Sequence, residues 1–80
     1  MKKGQLFQVA YNGNDNTYKS DVFVFHAEDD RIVLASKINL TTGLAEKYVH
    51  SFYMNHWNFF DVGADIERFI NYRLTQNIKL

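Results

Sequence analysis

The chain has 80 residues, no cysteine and no proline, and its nine basic residues balance nine acidic ones to zero formal charge. This length sets one domain over residues 1–80, with a slim core, because so short a chain buries only about 60–65% of the surface it exposes when unfolded. The missing cysteine excludes disulfides, thiolate catalysis and zinc ribbons. The neutral balance argues against duplex binding, which needs a basic patch to neutralise phosphates, and against an acidic mimic of DNA.

Met1-Lys2-Lys3-Gly4-Gln5 carries two lysines with no apolar stretch behind them, so no signal peptide is expected. No apolar run approaches the length of a membrane span, and a soluble cytoplasmic protein is expected. Asn39-Leu40-Thr41 matches the glycosylation triplet, a chance match in a protein that is not secreted.

Residues 5–11 alternate, with Phe7, Val9 and Tyr11 on one face and Leu6, Gln8 and Ala10 on the other, which predicts a strand. The following NGNDN, residues 12–16, is a hairpin-turn signal because Asn and Gly accept positive φ. It also resembles the opening of a calcium loop, with oxygens at Asn12, Asn14 and Asn16. The sixth position is Thr17 and not glycine, and the twelfth is Phe23 and not glutamate, so no calcium site is expected.

Residues 17–27 predict a second strand, apolar on both faces at Val22 to Phe25 and therefore central. Glu28-Asp29-Asp30 reads as a charged turn, and residues 31–38 as a third strand. Ile32, Leu34 and Ile38 lie on one side of that strand, with Val33 and Ala35 on the other.

At residue 39 the period changes. Thr42 or Gly43 can cap a helix, with Glu46 in its first turn. Leu44, Tyr48 and Phe52, and Ala45, Val49 and Tyr53, repeat at i, i+4 and i+8, which predicts a helix to about Asn55 or His56. Residues 57–60 read as a connector or a short fourth strand. Asp61 and Gly63 open a second helix, with Ile66, Phe69, Ile70 and Leu74 buried, to about Gln76. The expected fold is α+β: a three-stranded antiparallel meander followed by two helices packed on one face. Phe25, Ile32, Leu34, Phe52, Phe69 and Ile70 are its expected core.

The densest chemistry is YVHSFYMNHWNFFD, residues 48–61, with six aromatic rings and two histidines. On one helix His50 and His56 would point about 120° apart and could not share a metal ion, and no set of three or four converging ligands emerges with His26. No metal or cofactor is expected. Ser20, Ser36 and Ser51 lack a nucleophile's context, and the acids sit in a turn or on helix faces, so no enzyme is expected.

Met54 and Trp57 would fall on the polar face of the first helix beside His50, with Phe59 and Phe60 directly after. Exposed Trp and Met mark contact surfaces. His50, Met54, Trp57, Phe59 and Phe60 are therefore the candidate partner-binding residues; the alternative is that the helix ends near Asn55 and Trp57 turns inward. The expected function is a non-enzymatic protein-interaction module, a small accessory or inhibitor protein in the style of viral and mobile-element factors, with a homodimer as a further option. Two other readings stand beside it. One is a single-strand nucleic-acid binder stacking bases on Tyr11, Tyr18, Phe23 and Phe25, disfavoured by sparse strand cations. The other is a structural subunit of a larger assembly.

Overall fold

The computed structural model describes residues 1–12 and 21–79. Five strands, β1 (Leu6–Tyr11), β2 (Phe23–Asp29), β3 (Ile32–Ile38), β4 (Ala45–Tyr53) and β5 (Trp57–Asp61), precede one helix, α1 (Ala64–Lys79). The strands form one antiparallel sheet in the order β4-β3-β2-β1-β5. This overturns the three-stranded meander with two helices. The segment expected as the first helix is a nine-residue edge strand, and residues 57–60 belong to a fifth strand that pairs with β1.

The physical reason lies in the spacing. A repeat at i, i+4 and i+8 satisfies period two as well as period 3.6, so it cannot separate strand from helix. Counted from Ala45, positions i+3 and i+7 are Tyr48 and Phe52, so the local pattern suits a helix in full; pairing with β3 along residues 45–53, which buries Phe52 against Val33, overrides it. The capping residues serve a different end. The Asn39 side chain accepts from the backbone N–H groups of Thr41 and Thr42 (2.9 and 3.2 Å), and the Gly43 N–H bonds the Asn39 carbonyl (2.6 Å). These bonds close the β3–β4 loop, the competing use such side chains have.

β2 and β3 form a tight hairpin in which Asp29 faces Ile32. Its two turn residues, Asp30 and Arg31, have φ of 46° and 66°, the double positive φ of a turn that matches strand twist. The turn thus begins two residues later than expected, with Glu28 and Asp29 inside β2. Of the predicted 12–16 turn only Asn12 falls within the described residues. Its N–H bonds the His56 carbonyl and its side-chain amide the Asn55 carbonyl, tying the end of β1 to the turn between β4 and β5.

The sheet is strongly curled. β4 and β5 are its two edges, four strand spacings or about 19 Å apart if it were flat, yet only residues 54–56 connect them. Phe52 on β4 meets Trp57 on β5 with ring centroids 5.2 Å apart. The concave face therefore closes on itself as a partly open barrel. Phe7, Val9, Phe23, Phe25, Val33, Ala35 and Phe52 fill it, with Trp57 and Phe59 packed against them. The rings meet edge-on or offset, Phe7 lying 5.9 Å from Phe23 and Phe23 5.0 Å from Phe52, the geometry aromatic quadrupoles favour.

The convex face carries a second cluster. Val22, Ile38 and Ile70 are buried there, and Leu6, Val24, Val62, Ile66 and Leu74 pack around them. One helix stripe, Ile66, Ile70 and Leu74, thus covers one end of the sheet. Phe69 is not core as expected: it is 43% exposed, flanking that stripe, with the Arg73 guanidinium 5.1 Å above its ring. Ile32 and Leu34 are only half-buried; neither belongs to either core cluster. Phe25, Phe52 and Ile70 are buried as expected. Among the described residues no helix is long and apolar enough to cross a membrane.

Candidate interaction surface on β4 and β5

Period two assigns the β4 side chains to alternate faces. Tyr48, His50 and Phe52 lie on the concave side, their rings in sequence: Tyr48 to His50 at 4.6 Å, His50 to Phe52 at 5.9 Å, with Phe23 5.3 Å from His50. From Phe52 the contacts pass to Trp57, then to Tyr11 at 5.2 Å, and from Tyr11 to His56 at 6.4 Å. His56 also touches Tyr53 at 5.9 Å. A continuous run of rings therefore begins on the outer end of β4, passes through the core, and emerges beside the β4–β5 turn.

The five candidate residues fall along this run and separate by depth. Trp57 and Phe59 turn inward and are half-buried against the concave core, Phe59 lying 5.7 Å from Phe7 and 6.4 Å from Phe52. His50 is half-buried among rings. Met54, in the turn, and Phe60, on the opposite face of β5 from Phe59, are exposed. The polar helix face that grouped Met54 and Trp57 does not exist, so their shared exposure does not follow.

Sequence reasoning missed the exposed rings of β4. Tyr48 is 68% exposed and Tyr53 53%, with Val49 between them on the same edge strand. Reading residues 45–53 at period two would have found them, since a strand in a one-layer edge leaves one face for each. Leu44 continues the exposed apolar line at the strand's start. β4 is an edge in the sheet order, and an edge strand presents backbone donors and acceptors in a row.

Three other chemistries meet physical obstacles here. His26 Nε2 lies 2.6 Å from Ser36 Oγ, the distance of a base and its nucleophile, but Ser36 is 3% exposed and no substrate could reach it. Among the described residues no group of three histidines and acids is placed to hold a metal ion. Of the rings considered for base stacking, Phe23 and Phe25 are buried core, Tyr11 is exposed, and Tyr18 lies outside the described residues. No family model matches this chain, nor does any curated protein or solved structure.

Proposed function

We propose that this protein is a non-enzymatic module that binds another protein through β4 and the β4–β5 turn, as a small accessory or inhibitor protein. The observation that carries the reading is the exposure of Tyr48, Val49, Tyr53 and Met54 together on and beside β4, an edge of the sheet among the described residues. Such an edge supplies main-chain hydrogen bonds for affinity, while alternate side chains supply selectivity. Tyr and Met are enriched where partners meet, and tyrosine loses little conformational entropy when it is held. Binding there would occlude a partner's strand or groove, the simplest route to inhibition by a protein with no chemistry of its own.

The test uses the wild type and the double variant Tyr48→Ser, Tyr53→Ser on one affinity matrix, with molecular mass measured by light scattering alongside. The reading expects a captured protein, or a dimer of the chain itself, with the wild type and its loss in the folded double variant. Retention of single-stranded nucleic acid that weakens steeply with salt would instead indicate phosphate contacts and sink the reading.

A further inference from the structure

α1 and the sheet are each held together from within. Arg68 pairs with Asp65, the Thr75 hydroxyl donates to the Asn71 carbonyl (2.9 Å), and the Arg73 guanidinium lies over the Phe69 ring, all three contacts inside α1. The Glu67 N–H closes the first turn on the Gly63 carbonyl (3.1 Å), and Asp65 and Glu67 sit where the helix dipole favours acids. On the sheet side, the β3–β4 loop is tied by its own backbone: the Gly43 N–H bonds the Asn39 carbonyl and the Asn39 N–H bonds the Leu44 carbonyl. The concave core is built from strand residues alone.

What joins the two parts is a narrow apolar seam. Ile70 is buried with Val22 and Ile38, and Ile66 and Leu74 pack around them. Gly43 lets the β3–β4 loop touch the backbone of Ile70 and Leu74. Beside that contact the seam is incomplete: a cleft of about 600 Å³ has Ile70 and Leu74 on one wall and Leu6, Val24 and Ile38 on the other. Protein interiors are close-packed, and wall atoms that face a gap forgo their dispersion contacts. Val62 packs into the convex cluster, so the joint is Gly63, where even an added Cβ would have no neighbour within 4 Å.

We infer that α1 is a detachable strap: it swings off the convex face about Gly63 as a unit while the five-stranded barrel stays folded. The free energy of such a local opening is set by the contacts given up, here one stripe of three apolar residues. Opening the barrel gives up the concave aromatic core as well. The docked strap conceals an apolar floor of Leu6, Val22, Val24 and Ile38, on the face of the sheet away from the ring run, and the open form bares it.

The experiment follows native-state hydrogen exchange of the 80-residue chain by NMR at low denaturant concentrations. The amides of Ile70 to Leu74 are expected to open about a hundredfold more often than the slowest amides of β2 and β3, with a weaker denaturant dependence because less surface is exposed. Val33→Ala, in the concave core, weakens docked and open forms alike. It should therefore speed the β2 and β3 amides about tenfold and leave those of α1 unchanged. Ile70→Asp should move the α1 amides to random-coil positions while the sheet amides and Trp57 fluorescence keep their native values. Equal opening of α1 and sheet, an equal response of both to Val33→Ala, or loss of the sheet spectrum in Ile70→Asp would each overturn the inference, because each makes helix and barrel one cooperative unit.

Discussion

A Cβ atom at residue 43 would stand 2.8 Å from the carbonyl oxygen of Ile70, so the β3–β4 loop and α1 touch backbone to backbone. Gly43 also holds φ at 79°, where a side chain is strained whatever the space. Two independent requirements thus fall on one residue. Gly43→Ala is expected to cost about 2–4 kcal/mol, from left-handed strain and the lost close approach together. Gly63→Ser, at the helix start, where nothing crowds an added Cβ, should stay within a few tenths of a kcal/mol. Chemical denaturation of both variants checks the contrast.

Phe52 is the hub of the concave core, touching Phe7, Phe23, His50, Trp57 and Phe59 while almost fully buried. Truncation to Ala is expected to cost about 3–5 kcal/mol, a large part of the stability of so small a domain. A melting temperature equal to the wild type's would refute the inward placement of β4's even-numbered residues.

Tyr48 and Trp57 should separate binding from stability. Trp57 packs on Phe52 and Tyr11, so Trp57→Ala is expected to destabilise the fold by about 2–4 kcal/mol. Tyr48→Ser should leave stability within about 0.5 kcal/mol, as surface changes do, while weakening partner binding or self-association by about 2 kcal/mol, as hot spots do. Melting and binding measured on one preparation decide it; the reverse pattern would move the binding surface to Trp57.

The buried Ser36 hydroxyl satisfies the His26 ring. Ser36→Ala leaves that ring nitrogen without its partner and is expected to cost about 1–2 kcal/mol. Urea titration gives the value, and an unchanged midpoint would mean that water replaces the hydroxyl at no cost.

How much of this was legible in the sequence follows from how local each signal is. Leu6–Tyr11 and Ile32–Ile38 are short β-branched and aromatic runs bounded by turn residues, and their strands fall where the sequence puts them. The Ile66, Ile70, Leu74 stripe places α1 correctly, although Phe69, one position off the stripe, is lifted out to solvent. β4 was lost because a four-residue repeat is common to both periods, and with it went the ground for calling Trp57 exposed. Burial of Trp57 and Phe59 depends on curling that brings β5 under β4, a relationship between residues distant in hydrogen-bond order that no local pattern carries.

The pairing of β1 sets the order in which the molecule can assemble. Among the described residues β1 has five register pairs with β5, from Phe7 with Asp61 to Tyr11 with Trp57, and two with β2. During synthesis residues 6–11 therefore wait for residues 57–61 before their second edge can pair, while the β2–β3 hairpin can close at once. Closing a loop of that span before the contacts reward it is slow relative to hairpin formation. The nascent chain thus carries Phe7 and Val9 only partly covered until β5 is made, and its window for misassociation is kinetic: it opens with the first strand and shuts when Trp57 and Phe59 arrive.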